Sequence, residues 1–261
     1  MFGIAGFKRR KALEQVSHYR HSPAELAYHK PGDIIVSVPV SRCRMNLTML
    51  PASRNPFVMT LQEGHDSYEN SPLFQFYDSV KPATVGQLLS VMQSPIASLP
   101  AMATVMPWWA ISPEERLDQV AVETPHGYLG KEAIKMGASR SGDYGWQYFG
   151  PVSHQVGESE FQRQQLVYQS IRSNSYNPVS YKHIHGEFLI SGRDWVWVNQ
   201  GGKHRFNSLV AAGNEEVIVS AKRKYGPDFV QRSDAHLWPN VINGWFTEQE
   251  ALTVFDRIMQ G

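Results

Sequence analysis

The stretch Trp197-Val-Asn-Gln-Gly-Gly-Lys-His-Arg-Phe-Asn-Ser-Leu-Val-Ala-Ala-Gly213 has the pattern of a β-strand followed by a glycine turn and a short helix. Tryptophan and valine favour the strand, and Gly201 and Gly202 allow the positive φ angle of a tight turn. Gly213 is suited to end the helix in the left-handed conformation. Apolar residues at i, i+3 and i+4 give the helix one buried face: Phe206, Leu209 and Val210.

Three cationic or donor side chains occupy the first turn of this helix: Lys203, His204 and Arg205. Positive charge is least favoured there, because the helix macrodipole is itself positive at the N-terminus. Together with the free backbone N–H groups of the first turn, these side chains suit an anion, most naturally phosphate. The alternative is an exposed basic turn that binds nothing.

The composition limits the kinds of function to consider. The chain has 261 residues, enough for a substantial core, and its 25 Lys and Arg nearly balance 24 Asp and Glu. A balanced charge gives no strong nucleic-acid signal, so an anion site must be local. The single Cys43 excludes an intramolecular disulfide framework and a zinc site made mainly of cysteine. These features favour a cytoplasmic protein.

One long uncharged segment, residues 82–113, raises the question of a membrane. Its length could span a bilayer. However, Pro95, Pro100 and Pro107 interrupt it, and polar residues dilute it, so we predict no transmembrane segment. Peripheral membrane contact through Trp108 and Trp109 is the alternative.

The spacing of apolar residues and of caps predicts an α+β fold. Strands are predicted at 33–40, 58–62, 188–190, 195–198 and 216–220. Helices are predicted at 71–80, 85–92, 158–172 and 203–212, with others starting at Ser112 and at the capping box of Thr247. Residues 137–150 are predicted to form a loop. Because the second half has the clearer pattern, we predict an N-terminal mixed α/β region, 1–147, and a second domain with a C-terminal helix, 148–261.

The order helix, hairpin, G-x-H-R turn with helix, and strand resembles the ParB/sulfiredoxin-like superfamily. That superfamily includes partition proteins, sulfiredoxin and free-serine kinases. The resemblance rests on Gly202-Lys203-His204-Arg205, on Asn199 before the turn, and on Glu160-x-x-Arg163 in the preceding helix. It implies a ParB/sulfiredoxin-like C-terminal half with an N-terminal elaboration.

A closer likeness is to uncharacterised proteins often encoded near surface-polysaccharide genes, and it implies a role in surface-glycan biosynthesis. It covers about residues 70–259. The similar patterns are Ser71-Pro-Leu73, Pro107-Trp108, Tyr148-Phe-Gly-Pro-Val-Ser153, Ser170-Ile171 and Trp238-Pro-x-Val-x-x-Gly244.

In the superfamily the G-x-H-R turn binds nucleotide phosphates. Lys203 stands where sulfiredoxin-like members have a nucleophilic cysteine, which argues against sulfinic-acid reduction at this turn. Gln200 and Gly201 precede the turn where free-serine kinases have an aspartate, which puts that aspartate's metal or base role in doubt. The resemblance thus implies a phosphate or nucleotide site made of Asn199, Gly201, Gly202, Lys203, His204, Arg205 and Arg163.

The expected function is that of a nucleotide-dependent phosphotransferase acting on a small hydroxyl-bearing substrate. The expected cofactor is a nucleoside triphosphate, ATP in the first instance, with Mg²⁺. Glu160 and His204 are the expected catalytic residues, His204 as a donor to phosphate and Glu160 as a magnesium ligand or proton acceptor. Glu158 and Asp194 are the other candidate carboxylates. The alternative for Glu160 and Arg163 is a surface ion pair at i, i+3.

Two other functions stay open. One is a non-catalytic module that binds a nucleotide or a phosphosugar. The other is a partition-type DNA-binding protein, against which the near-neutral charge and the missing helix-turn-helix domain both count. His183-x-His185 has the spacing that places both rings on one face of a strand, but the sequence offers no third metal ligand.

Overall fold

A mixed six-stranded sheet and surrounding helices form the α+β fold of the protein. The computed structural model describes residues 23, 34–45, 49–104, 108–123, 148–178, 183–221 and 229–261. Most of the predicted loop at 137–150 lies outside these ranges. The strands are β1 (Ile34–Pro39), β2 (Cys43–Arg44), β3 (Ile184–Ser191), β4 (Asp194–Gly201), β5 (Glu216–Ala221) and β6 (Phe229–Gln231).

The sheet order is β1-β5-β3-β4-β2. The β3–β4 hairpin is antiparallel, as predicted, and pairs Phe188 with Trp197. Strand β5 runs parallel to β3 and antiparallel to β1. Strand β6 pairs in parallel with Phe188–Ile190, beyond the part of β3 that pairs with β5. Because β1 and β2 pair with β5 and β4, strands from before and after residue 148 share one sheet. The division into domains at 148 stays a prediction.

All the predicted helices are present, although the one predicted to begin at Glu158 begins at His154, and the helices at Pro56 and Pro239 were not predicted. They are α1 (Pro56–Glu63), α2 (Pro72–Ser79), α3 (Val85–Leu89), α4 (Pro113–Glu123), α5 (His154–Asn174), α6 (Lys203–Ala211), α7 (Pro239–Ile242) and α8 (Glu248–Gln260). The oxygens of Ser71 and Thr247 cap α2 and α8, and the capping box at Thr247 is confirmed. Helix α3 ends before Met92, at Ser90, which has a left-handed φ of 59°.

The strand predicted at 58–62 is wrong, because these residues lie inside α1. Val58, Thr60 and Leu61 are buried. Burial of such a short run is equally compatible with a strand and with a helix. Asn55 and Pro56 start the helix instead: the Asn55 side chain accepts a hydrogen bond from the backbone of Phe57, and proline occupies the first helical position. Local capping therefore decides the structure of a run whose apolar pattern is ambiguous.

The hydrophobic core of the described residues consists of two clusters. The smaller one includes Phe188, Trp197 and Phe206, and joins α6 to one face of the sheet. The larger one takes Leu189, Val196 and Val198 from the strands, whose side chains alternate between the two faces. The first residues of α6 therefore lie where the sheet meets α5 and α1, both of which pack against α6.

An aromatic cluster surrounds Trp108 and Trp109, each of which is only 1% exposed. The Trp108 ring lies 5.6 Å from that of Trp238 and 5.4 Å from that of Phe246. The proposed membrane contact through this tryptophan pair is wrong, since both indoles are enclosed by other aromatic rings. Among the described residues, no helix is long and apolar enough to cross a membrane.

Candidate functional site

The G-x-H-R turn begins α6 as predicted, with Lys203 as its first residue. Gly202 precedes it in the left-handed region, with a φ of 76°, and offers no side chain to cap the helix. In contrast, side chains cap the other described helices of eight residues or more. The first-turn N–H groups of α6 therefore lack the side-chain acceptor that those helices have, which leaves them suited to an external anion.

Both glycines of the turn are required by their surroundings. A Cβ at Gly201 would overlap the ring of His185 on the paired strand. A Cβ at Gly202 would lie 2.8 Å from Nη2 of Arg205, whose side chain folds back over the turn. The turn is therefore packed on both sides, by His185 and by Arg205.

A buried Glu160 and a partly buried His204 form a pair at the start of α6. Nε2 of His204 lies 2.9 Å from Oε2 of Glu160, and the two side chains are 18% and 3% exposed. The ring of Phe57 meets the imidazole edge-on. Arg163 lies on the same helix as Glu160, with Nη1 3.9 Å from Oε1. Because Glu160 is buried and hydrogen-bonded to His204, it is not the surface ion pair that was the alternative.

The Lys203 side chain contacts Tyr148. Its Nζ lies 3.6 Å from the centroid of the Tyr148 ring, a cation–π contact. Burial lowers the pKa of Lys203, the neighbouring Tyr148 and Glu160 raise it, and the positive charge of Arg116 lowers it further. Lys203 thus lies in a partly desolvated position against an aromatic ring.

Arg205 lies on the other side of the turn. Its guanidinium donates a hydrogen bond to the hydroxyl of Tyr176, whose pKa is raised by burial and lowered in part by this arginine. The Arg205 Nη2 also lies over Gly202, whereas the Lys203 Nζ lies over the Tyr148 ring. Two cations carried by the first turn of one uncapped helix are suited to an anionic ligand.

A buried hydrogen-bond network holds the first turns of α6 against α5 and α1. The Gln164 amide donates to the carbonyl oxygen of His204 and to Oγ of Ser208, each at 3.0 Å. Asn207 donates to Gln164 and accepts a hydrogen bond from Asn55. All four side chains of the network are nearly inaccessible. The network therefore fixes the position of His204 relative to Glu160, which lies one turn before Gln164 on α5.

The other predicted residues do not join this cluster. Asn199 is only 2% exposed and donates to the carbonyl of Gly201, so it supports the turn from inside. Glu158 bonds to Gln162 along α5, and Asp194 forms an exposed ion pair with Arg42 in the hairpin. Glu158 and Asp194 thus pair with other side chains, whereas Glu160 is the partner of His204.

The described residues include no group of three or more histidine, cysteine, aspartate or glutamate side chains that could hold a metal ion. His185 is the second residue of β3, whereas His183 lies just before the strand begins at Ile184. Glu187 forms a short hydrogen bond with Gln200. Within the described ranges, neither histidine belongs to a group of potential metal ligands.

Two residues near the turn were not identified from sequence. Gln164 follows Glu160 by four residues, so helical spacing alone could have placed it on the same face of α5. Arg116 belongs to α4, more than 80 residues earlier, and no local pattern connects it with the turn. Only the tertiary structure shows that its charge acts on Lys203.

Comparison with known proteins gives no relative on which to base a function: no protein-family model matches the chain, and neither a curated protein nor a solved structure does.

Gly202→Ala is expected to destabilise the protein and to weaken anion binding. A non-glycine residue costs about 1–2 kcal/mol in the left-handed region, and the new methyl group must also displace Arg205. Urea unfolding measures the first effect. Gly192→Ala is the matched control, because Gly192 has a φ of 62° but nothing within 4 Å of an added Cβ. Equal losses of stability with unchanged anion binding in both variants would contradict the packing of Arg205 over Gly202.

Proposed function

We propose that the protein is a nucleotide-dependent phosphotransferase that binds phosphate at the start of α6 and transfers it to a small hydroxyl-bearing substrate. The observation that carries the proposal is the pairing of His204 with the buried Glu160 at an uncapped helix N-terminus that also carries Lys203 and Arg205. A relationship to the ParB/sulfiredoxin-like superfamily is part of the proposal. The order α5, β3, β4, α6, β5, with G-x-H-R at the start of α6, supports it.

Phosphate binding is proposed because several hydrogen-bond donors and positive charges lie at the first turn of α6. The first-turn N–H groups have no side-chain cap, and the helix dipole favours an anion there. Arg205 lies over the turn, where its planar guanidinium can make two parallel hydrogen bonds to phosphate oxygens. Lys203 adds charge from the side of Tyr148. These contacts would both hold the nucleotide and stabilise charge on the transferred group.

The catalytic part rests on the His204 imidazole. Glu160 holds Nε2, which leaves Nδ1 as the nitrogen able to accept a proton from a substrate hydroxyl. A buried carboxylate stabilises the imidazolium that forms and fixes the ring orientation. Glu160 therefore acts as a positioning residue through His204 in this proposal, rather than as the direct base.

The described residues fit a protein-held magnesium ion poorly. Glu160 contacts the turn, but its oxygens already face His204 at 2.9 Å and Arg163 at 3.9 Å. Mg²⁺ is commonly bound through substrate phosphates together with one or two carboxylates. We therefore assign no magnesium ligand and include Mg²⁺ in the proposal only as an ion that accompanies the nucleotide.

A non-catalytic nucleotide or phosphosugar binding module is the second candidate. One observation favours it: within the described ranges, the turn gathers cations around one carboxylate that is already paired with histidine. Such a set suits anion binding without demanding proton transfer. Binding with no turnover on any hydroxyl acceptor would support this candidate over the phosphotransferase.

Arg205→Ala is expected to weaken nucleotide binding about 10- to 100-fold, because a hydrogen bond to a charged group contributes about 1.5–3 kcal/mol. Thermal unfolding with nucleoside triphosphates and nucleotide sugars, with and without Mg²⁺, measures this loss, since a ligand of the folded state raises its stability. The matched control is Arg193→Ala, an exposed arginine in the β3–β4 turn.

The outcome of this experiment decides the proposal. A shift in melting temperature that is lost in Arg205→Ala and kept in Arg193→Ala supports phosphate binding at the turn. A shift that survives Arg205→Ala removes the turn as the phosphate site. Salt-dependent retardation of DNA by the wild-type protein, with no nucleotide binding, would favour the partition-type alternative instead.

A further inference from the structure

Helices α5 and α6 each carry, in the first turn, a histidine whose Nε2 lies beside a glutamate. His154 of α5 pairs with Glu69 at 2.6 Å, and His204 of α6 pairs with Glu160 at 2.9 Å. The side chain of Glu69 is 51% exposed, whereas that of Glu160 is 3% exposed. The Ser153 side chain caps α5, but α6 has no side-chain cap. The His204 pair therefore combines a buried carboxylate with an uncapped helix start, and the His154 pair has neither property.

The carboxylate of Glu160 determines which nitrogen of the His204 ring carries the proton. Because Glu160 is shielded from water and accepts a hydrogen bond from Nε2, the neutral imidazole keeps its hydrogen on Nε2. Its free electron pair then lies on Nδ1. The His204 side chain is 18% exposed, and within the described residues the hydrogen bond of its ring is the one to Glu160. Nδ1 is therefore the ring nitrogen left for a ligand.

The imidazole of His204 is also held in one orientation. Phe57 of α1 meets it edge-on, with the ring centroids 6.4 Å apart. The carbonyl oxygen of His204 accepts hydrogen bonds from Gln164 at 3.0 Å and from Ser208 at 2.7 Å, which fix the backbone. A nitrogen with a free electron pair, a fixed orientation and a buried counter-ion has the properties of an activated nucleophile.

We infer that Nδ1 of His204 receives the phosphoryl group before the substrate does, so that the reaction passes through a phosphohistidine. The inference rests on the proposed function and adds a covalent intermediate to it. The phosphoryl donor is the nucleoside triphosphate of that function. His204 belongs to the first turn of α6, whose uncapped N–H groups are the proposed phosphate site.

Two successive displacements complete the transfer. In the first, Nδ1 attacks the terminal phosphorus, a P–N bond forms, the bond from phosphorus to the bridging oxygen breaks, and the nucleoside diphosphate leaves. The phosphorylated ring gains a positive charge, which the carboxylate of Glu160 neutralises through Nε2. In the second, the hydroxyl oxygen of the substrate attacks phosphorus and the P–N bond breaks. The released Nδ1 takes up the hydroxyl proton and later gives it to solvent.

The test is the exchange of labelled nucleoside diphosphate into triphosphate, with Mg²⁺ and without any acceptor, for each nucleotide that binds. A covalent intermediate permits this exchange, whereas direct transfer to a hydroxyl does not. Wild-type protein is expected to catalyse it and to gain an acid-labile, alkali-stable phosphoryl group on the peptide that contains His204. His204→Asn is expected to lose both. Glu160→Gln is expected to slow the exchange about 10- to 100-fold, because it removes the counter-ion of the ring.

His154→Asn is the matched control, because it removes the other first-turn histidine that has a glutamate partner. This variant is expected to keep the exchange rate and the phosphoryl group of the wild type. If His204→Asn yields no folded protein, the position of the phosphoryl group in the wild-type protein and the exchange rate of Glu160→Gln decide the inference without it.

Absence of both exchange and phosphoprotein, in a protein that binds the nucleotide, would overturn the inference. So would exchange that persists in His204→Asn, or a phosphoryl group on another residue. Turnover of an acceptor without exchange would keep the proposed function, with Nδ1 of His204 acting as the base alone. Absence of nucleotide binding that depends on Arg205 would instead remove the proposed function itself, so the two failures are distinguishable.

Discussion

Glu160→Gln is expected to lower turnover roughly 100-fold or more while nucleotide affinity stays within about threefold. General base catalysis by a positioned side chain contributes roughly 10²–10⁴ in rate. The carboxylate of Glu160 holds Nε2 of His204, and an amide of the same size cannot stabilise the imidazolium that forms during proton transfer.

The measurement is kcat and KM for each nucleotide and acceptor on which the wild-type protein is active. A fall in kcat with an unchanged KM for nucleotide identifies an interaction made in the transition state. Glu158→Gln is the matched control: Glu158 lies two residues earlier on α5 and bonds only along the helix, to Gln162. Equal kcat values for wild type and Glu160→Gln would remove the Glu160–His204 pair from the chemistry.

Asn240→Ala is expected to lower the free energy of unfolding by about 3 kcal/mol. The Asn240 amide is buried and donates to the carbonyl oxygens of Trp108 and Ile111, at 2.6 and 2.7 Å. Alanine would leave both buried carbonyls without this donor, at about 1–3 kcal/mol each. The same residue receives backbone hydrogen bonds from Trp245 and Phe246, so it joins α7 to the aromatic cluster.

Urea unfolding followed by tryptophan fluorescence measures this loss, because the affected cluster contains Trp108 and Trp238. Asn243→Ala is the matched control. Asn243 is an exposed asparagine on the same segment, and such a surface change is expected to alter stability by less than about 0.5 kcal/mol. A loss of stability no larger in Asn240→Ala than in Asn243→Ala would contradict the structural role of the two hydrogen bonds.

The hydrogen bonds of Asn240 also give a structural role to two sequence patterns, Pro107-Trp108 and Trp238-Pro-x-Val-x-x-Gly244. The segment that includes Trp238 and Gly244 and the segment at Trp108 are far apart in the chain, yet their rings lie 5.6 Å apart and Asn240 connects them. Tyr148 and Ser153, from a third pattern, contact Lys203 and cap α5 respectively. The patterns therefore mark core and site contacts rather than a membrane surface.

Helix-capping residues and the local spacing of apolar residues were enough to predict much of the secondary structure. Serine, threonine and glycine at helix ends act within one turn, so the caps at Ser71, Ser112 and Thr247 could be recognised directly. The β3–β4 hairpin and α6 were predicted for the same reason. The prediction of a strand at 58–62 is wrong because a short helix that is buried on most sides lacks the spacing of apolar and polar residues that distinguishes a helix from a strand.

The sequence by itself determined that a glycine turn starts α6 and presents Lys203, His204 and Arg205 in its first turn, because backbone freedom and helical spacing are local properties. It also favoured Glu160 as the carboxylate. Only the tertiary structure decided that Glu160 bonds to His204, that Lys203 lies over the Tyr148 ring, and that Arg205 packs over Gly202. Such contacts depend on how distant segments pack, and side-chain chemistry at one position does not specify which remote residue will lie beside it.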